Sequence, residues 1–247
     1  MIKLSRILIG EIKQINRYPV KSFSGESLNS TRIEAYGLYG DRSHALVDET
    51  KEGWDSYITA REIPQLLRYK VEFIGEGTLS DFPQVKITSP QGHTLYWDQC
   101  WIDELQSFYK NKISLIRHDP QNKENMAVDN ESILLITESS LTKLESIWGG
   151  KLDPRRFRAN FIISLNEGIT YDDNELIGKH LTINNAEFHI NEECKRCSMI
   201  TMDPDNLERD ASLLKTVSLE MNLNFGVYAR VVKTGEVNLG DKIYITV

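Results

Sequence analysis

Apolar residues in this chain come in short runs broken by glycine, proline and polar turns, so that neither a membrane span nor a long helix can be built from them. Ile133-Leu134-Leu135-Ile136 is among the longest purely aliphatic runs, strand-sized against the ~18 apolar residues that a span requires. Ile7, Ile9, Ile12 and Ile15 mark an extended segment, and strands are predicted over 43–48, 70–74, 85–88 and 94–97. No βαβ rhythm connects them. From Asp98 onward, Trp101, Leu105, Phe108 and Tyr109 fall at helical spacing, which predicts a helix near 98–110 and then a strand over 113–116. The stretch 118–131 is rich in Asp, Asn, Gln and Lys, reads as a linker, and divides the chain into 1–118 and 119–247.

Beyond the linker, the Ile133 run predicts a strand and Thr137 an N-cap. The helix that follows carries Leu141, Leu144, Ile147 and Trp148 on one face and ends at Gly149-Gly150. Strands are expected over 161–163, 181–183 and 187–190, the last two joined by a hairpin at Asn184-Asn185, whose side chains tolerate positive φ. A helix over 211–221 and strands over 227–232 and 243–247 complete a pattern that is mainly β with some helices, of the α+β class. A β-rich N-terminal domain followed by a closed sheet or β-barrel is the expected architecture.

Lys and Arg total 29 against 36 Asp and Glu, a net charge of −7, so bulk charge does not favour nucleic acid or another polyanion. An anionic ligand would have to be held by local arginines. The N-terminus has no signal-peptide-length apolar segment, which predicts a cytoplasmic protein without a membrane span. Cys100, Cys194 and Cys197 are an odd number in a chain of this length, and thiols or ligands are expected rather than a disulfide framework.

Cys194-Lys195-Arg196-Cys197 places two thiols around two cations, a setting in which positive charge favours thiolate. Half a zinc site completed by His189, a redox pair, a single metal-binding or nucleophilic thiolate, and two buried thiols filling core gaps are all compatible with that spacing. A second cluster is Asp153-Pro154-Arg155-Arg156-Phe157-Arg158-Ala159-Asn160. Arg158 with Asn160 would suit a phosphate clamp, and a solvated basic edge is the plain alternative. Tyr18-Pro19-Val20-Lys21-Ser22 and Gly37-Leu38-Tyr39-Gly40-Asp41-Arg42 each set a cation in a turn, and Asp203-Pro204-Asp205 reads as a turn. No Gly-x-Ser-x-Gly, P-loop or Gly-x-Gly-x-x-Gly is present, so serine hydrolase, P-loop and Rossmann readings fall away.

Taken in order, these clusters, with Thr59-Ala60-Arg61 and Phe225-Gly226, resemble the MOSC family in its two-domain form. The resemblance runs from about Leu8 to Tyr244 and is closest to the amidoxime-reducing components and their bacterial relatives. It implies a molybdenum cofactor, a pterin dithiolene whose metal takes one protein thiolate, and Cys197 matches the metal-binding and catalytic cysteine. Cys194 matches a cysteine without that role. Lys21, Ser22, Arg42, Arg158 and Asn160 match positions that hold the cofactor's phosphate and pterin, and Thr137 and Ser139 match further polar contacts. Ala159 departs from a Pro found in many members. The implied activity is reduction of N-hydroxylated or N-oxygenated small molecules, independent of pyridoxal phosphate. Only Cys100 lies outside the Cys194 pair, too few thiols for an iron–sulfur cluster, so a separate flavin or iron–sulfur partner is expected to deliver electrons. The alternative is a non-enzymatic carrier of the cofactor, or of sulfur as a persulfide on Cys197.

Overall fold

A computed structural model describes residues 6–78, 80–98, 101–121, 126–128, 130–169 and 171–246. Cys100 and part of the expected linker lie outside the described residues. The strands before the linker are β1 (Arg6–Arg17), β2 (Glu26–Leu28), β3 (Ser30–Glu34), β4 (Gly37–Leu38), β5 (His44–Asp48), β6 (Lys70–Ile74), β7 (Gln84–Thr88), β8 (Thr94–Tyr96) and β9 (Ile113–Arg117). After it come β10 (Ile133–Thr137), β11 (Phe161–Leu165), β12 (His180–Ile183), β13 (Ala186–Lys195), β14 (Asn224–Lys233), β15 (Gly235–Asn238) and β16 (Lys242–Thr246). The α-helices are α1 (Ile102–Gln106), α2 (Glu138–Trp148) and α3 (Ala211–Glu220). None of the helices among the described residues is long and apolar enough to cross a membrane.

Seven strands close into a barrel in the order β11-β10-β14-β13-β12-β16-β1, with β1 returning to β11. The first strand of the chain is therefore a stave of the barrel built by the second half. Its first part pairs antiparallel with β16 (Arg6↔Thr246 to Glu11↔Lys242) and its second with β11 (Gly10↔Leu165 to Ile15↔Phe161). One strand can serve both partners because register shifts at Leu8/Gly10 and Ile12/Gln14 bend it around the wall. At Gly10 the walls come so close that a Cβ would lie 1.9 Å from the Ser164 carbonyl oxygen, so no side chain fits there.

Each shift adds a residue to β1, so its inward positions fall three apart, while alternation orients the other staves. Ile9, Ile12 and Ile15 of β1 point inward with Ile133, Leu135, Phe161, Ile163, Phe188, Ile190, Val227, Ile243 and Ile245, all at most 1% exposed. A second core lies under the first half, where the β5–β9 pair and the β6-β7-β8 sheet cover Phe23, Leu46, Leu66, Tyr69, Ile87, Trp101 and Leu105. β3 pairs with β15, a second lacing of the two halves. The outer face of the barrel packs on α2 and α3 through Leu134, Ile136, Leu144, Phe157, Leu213 and Val217.

Thr137 caps α2 by accepting from Ser140 N (3.1 Å), and Gly149 ends it in the left-handed region at φ 81. Asn184 turns the β12–β13 hairpin at φ 51. The helix expected near 98–110 is shorter, spanning only Ile102–Gln106. There the Gln106 amide donates to Tyr109 O (2.9 Å) and Asn111 O (2.7 Å), which binds the chain in a turn leading to β9.

His44 opens β5 at 2% exposure, its ring 5.1 Å from that of Trp97 and its Nδ1 2.9 Å from Ser43 Oγ. Burial, with Arg117 and His118 nearby, holds its pKa down to about 3. The folded chain keeps this imidazole neutral while the unfolded chain protonates it near pH 6.5. Its contribution is therefore complete above that pH and is lost as pH falls toward 3. Unfolding free energies from urea titrations should drop by about 2 kcal/mol between pH 7 and 5 on this account, and His44→Gln should lack that component. Parallel pH profiles for the two proteins would show that His44 does not set the dependence.

Candidate functional site

Where the turns of the first half meet the approach to β11 and the end of β13, seven cationic side chains line one cleft: Lys21, Arg42, Arg61, Arg156, Arg158, Lys195 and Arg196. Glu131 is the carboxylate among its lining residues. The cleft holds about 850 Å³ with its open mouth included, within the range of small-molecule sites. In a chain of net charge −7 this is a pronounced local reversal.

The backbone is bent to make it. Ser22 (φ 68), Arg42 (φ 50) and Arg158 (φ 57) all occupy the left-handed region, at a cost on the order of 1–3 kcal/mol each for residues with a Cβ. Local bonds hold them there. Arg42 N donates to Tyr18 O (2.7 Å), and Arg158 closes the 3₁₀ turn Pro154–Phe157 by donating to Arg155 O (3.2 Å). Beneath them Asp41, 2% exposed, accepts from Tyr18 N (2.7 Å), from the Arg42 guanidinium and from Asn160 Nδ2 (3.0 Å). Asn160 also donates to Asn16 O (3.2 Å) and accepts from Leu134 N (3.1 Å), so its amide ties β1, β10 and the Asp41 turn together at the cleft wall.

Most of these cations are positioned by neutral acceptors. Arg158 Nη1 donates to Phe23 O (2.7 Å), Arg42 Nη2 to Arg158 O (3.1 Å), and Lys21 Nζ to Ala127 O (2.9 Å). The Arg42 and Arg158 guanidinium carbons lie 4.4 and 4.2 Å from the Tyr18 ring centroid. Arg196, 7% exposed, donates from Nε to Phe225 O (2.7 Å) and from Nη1 to Phe157 O (3.0 Å). Carbonyls fix these groups in place, and Arg42 is in addition paired with the buried Asp41 carboxylate. Arg155 shows the contrast: exposed, it is answered by Asp153 and Asp205, each at 2.6 Å. Arg156 is intermediate, with Asp203 at 3.0 Å.

Two buried guanidinium atoms of the lining, Arg156 Nε and Arg196 Nη2, have no acceptor. Unanswered buried donors are costly, and an acceptor-rich anion in the cleft is the ligand that such a surface fits.

The two thiols of the Cys-x-x-Cys stretch are unequal. Both line the cleft, but Cys194 is 2% exposed, packed in the core beneath α2 and α3, whereas Cys197 is exposed and stands at the N-cap of the 3₁₀ turn Ser198–Thr201. His189 packs its ring on His180 (4.6 Å) and bonds Asn191. Among the described residues, no three His, Cys, Asp or Glu side chains are placed to hold a metal ion by themselves, so the zinc reading gains no geometric support.

Lys21, Ser22, Arg42, Arg158, Asn160 and Cys197 thus come together from distant parts of the sequence. Thr137 and Ser139 are not among the lining residues. Thr137 is fully buried at the start of α2, bonded to Asp173 Oδ1 (2.8 Å), and Ser139 donates to it (3.0 Å). Thr59, Arg61, Arg156 and Arg196 line the cleft although no role was assignable to them from sequence, and Asp41 organises it from below. The available signal was the arginine excess beside the assigned positions in an acidic chain.

Residues 122–244 match the family model described as the MOSC domain, and residues 9–125 the one described as the MOSC N-terminal beta barrel domain. Mitochondrial amidoxime reducing component 2 of Bos taurus is 24% identical, over 96% of this chain and 83% of its own length. Mitochondrial amidoxime-reducing component 1 of Mus musculus is 26% identical, over 96% and 82%. Molybdenum cofactor sulfurase of Caenorhabditis elegans is 30% identical over 53% of this chain, which spans only 18% of that protein. The crystal structure of the YUAD protein from Bacillus subtilis covers 98% of both chains with a TM-score of 0.51 at 11% identity, a likeness of fold. With its barrel and both family models matched in succession, the chain belongs to the MOSC family, in the two-domain form that places a MOSC N-terminal beta barrel domain before the MOSC domain.

Proposed function

We propose that this protein is a cytoplasmic, molybdenum-cofactor-binding oxidoreductase that reduces N-hydroxylated or N-oxygenated compounds with electrons from a separate partner protein. The observation that carries the reading is the meeting of seven pre-positioned cations with one exposed thiol in a single cleft. The names of the relatives, amidoxime reducing components and molybdenum cofactor sulfurases, support the same cofactor chemistry.

In this reading Cys197 holds the metal as a soft thiolate ligand, and Lys21, Ser22, Arg42 and Arg158 hold the anionic end of the pterin. Arg156 Nε and Arg196 Nη2 supply donors that the protein leaves unanswered. Asn160 acts on the site through Asp41 and β1, since both of its N–H groups are already engaged. Residues 1–118 and 119–247 then each contribute one side of the site. When bound, the cofactor supplies two-electron redox chemistry. The chain supplies orientation, because guanidinium groups fixed on carbonyls need little reordering when the anion arrives. The exposed Cys197 also suits the second reading, a carrier of cofactor or of a persulfide.

Protein purified from a host that makes the cofactor should contain molybdenum and reduce an N-hydroxylated purine with a chemical reductant. Molybdenum without turnover would favour the cofactor carrier, and no molybdenum would remove the enzyme and the cofactor carrier and leave the persulfide carrier. NADH or NADPH alone should give no turnover until a flavin or iron–sulfur partner is added. NADH oxidation by the isolated chain would overturn the need for a partner.

The thiols should separate cleanly. Cys197→Ala is expected to lose molybdenum and activity, while Cys194→Ala keeps both and loses about 1 kcal/mol of stability through a small core cavity. Equal loss in the two variants would contradict the assignment.

Removal of Arg158 should cost about 2–5 kcal/mol of cofactor binding, roughly 30- to several-thousand-fold, giving a folded protein largely free of molybdenum. Arg155→Ala, whose guanidinium is spent on two surface carboxylates, should behave nearly as wild type. Metal analysis beside a thermal melt decides: full occupancy in Arg158→Ala takes that residue out of the site.

A further inference from the structure

A second cavity, of about 880 Å³ with its mouth, lies against the far wall of Arg196 and shares no lining residue with the first cleft. Phe225 and Gly226 form part of that wall. Phe225 O accepts from Arg196 Nε, and a Cβ on Gly226 would lie 3.1 Å from Arg196 Nη2. The charge here has the opposite sign to that of the first cleft. Asp172, Asp173, Glu193 and Glu220 line the cavity, against Lys143 as the cation of its lining. Lys143 is taken by Asp172 (2.8 Å), and Glu193 accepts from Asn224 Nδ2 (2.6 Å).

Asp173 is the residue that points to a ligand. It is 7% exposed, and its Oδ1 accepts from Thr137 N (3.0 Å) and Thr137 Oγ1 (2.8 Å). Its Oδ2, also buried, has no hydrogen-bond partner at normal distance and angle, and the Ser140 hydroxyl in the same cavity wall lies near enough to the carboxyl to draw its pKa down against the upward push of burial. A buried carboxylate oxygen on a cavity wall without a well-formed hydrogen bond is a demand for a donor, and one carrying positive charge satisfies it best. Even with Arg196 counted behind the wall, four carboxylates outnumber two cations. A metal ion fits poorly, because no three of these acids converge on one point among the described residues. An extended cation with several N–H donors can reach acceptors that are spread apart.

We propose that this cavity binds a small organic cation bearing N–H donors, an ammonium, amidinium or guanidinium group, with Asp173 Oδ2 as its principal acceptor and Glu193 and Glu220 as flanking charges. Burial pushes the Asp173 carboxyl upward, so a bound cation would favour its ionised form. The inference does not depend on the cofactor reading, since the two cavities share no lining residue and Arg196 stands behind the wall of this one.

Titration calorimetry and thermal melts of the full chain with agmatine, at fixed ionic strength, test it. Butanediol serves as the uncharged control. Saturable binding in the millimolar range or tighter, with a raised Tm, is expected for agmatine alone. Asp173→Asn can keep its Thr137 contacts through the amide oxygen but presents a donor where Oδ2 stood, and affinity should fall at least about tenfold. Should that variant not fold, Glu193→Gln with Glu220→Gln, away from the Thr137 bonds, should weaken agmatine at least about threefold. No saturable response, an equal response to butanediol, or undiminished affinity in the variants would overturn the proposal and leave Oδ2 to an ordered water.

Discussion

The pairing of β1 with β11 is the contact on which the rest of this molecule depends. It closes the barrel, and it continues past the strand ends: Asn16 N donates to Asn160 O (2.8 Å), Asn16 Nδ2 to Ala159 O (3.2 Å), and Asn160 Nδ2 to Asn16 O (3.2 Å). Those bonds fix where the chain goes next on both sides. From β1 it enters the turn that carries Lys21 and Ser22, and from the other side the residues just before Asn160 carry Arg156 and Arg158. Asp41 then fastens Arg42 to the same point through Asn160. A site drawn from residues 21 to 197 is thus positioned by one strand pairing and one buried carboxylate.

Gathering like charges is unfavourable, and the structure shows how the cost is kept from spreading. The guanidinium groups of Arg42, Arg158 and Arg196 lean on carbonyls and aromatic faces, which hold them in place, and Asp41 offsets part of the Arg42 charge. Left-handed backbone at Ser22, Arg42 and Arg158 adds strain at the same place. Repulsion and unanswered donors of this kind are both relieved when an anion binds. The surrounding cores, fully buried around Ile9, Ile12, Phe161 and Phe188 on one side and Phe23, Tyr69 and Trp101 on the other, supply the stability that this arrangement draws on.

Much of the local structure was legible because its causes are local. Thr137 caps α2, Gly149 stops it, Asn184 turns a hairpin, and the period of two over 70–74 makes β6. Closure of the barrel by β1 was not, since alternation says which face is buried and not which strand lies alongside. The same limit applies to the site. Sequence brought Arg158 and Asn160 forward as a phosphate clamp, yet only the fold shows that Arg158 lines the cleft, held on Phe23 O, while the Asn160 amide is spent on Asp41 and Asn16. Thr137 and Ser139 carry the right chemistry for polar contacts, but capping and the bond to Asp173 absorb Thr137, and Ser139 bonds to it in turn.

Spacing alone treats Cys194 and Cys197 as partners, and what separates them is irregular backbone. β13 follows β14 with register shifts between Glu187 and Phe188, Ile190 and Glu192, and Glu193 and Lys195, and at the last of these the single residue Cys194 stands opposite two residues of β14, Phe225 and Gly226. The thiol enters the core beside Ile136, Phe157 and Phe225. The chain then leaves the sheet, Arg196 N donates to Leu223 O (2.8 Å), and the 3₁₀ turn begun by Cys197 carries the second thiol to the surface of the cleft. Between the two cysteines Arg196 is driven inward, its guanidinium seated on the carbonyls of Phe225 and Phe157. The irregularity therefore does two things at once: it buries one thiol in the cleft wall while the other stays exposed, and it places a buried guanidinium between a cation-rich cavity and an acidic one.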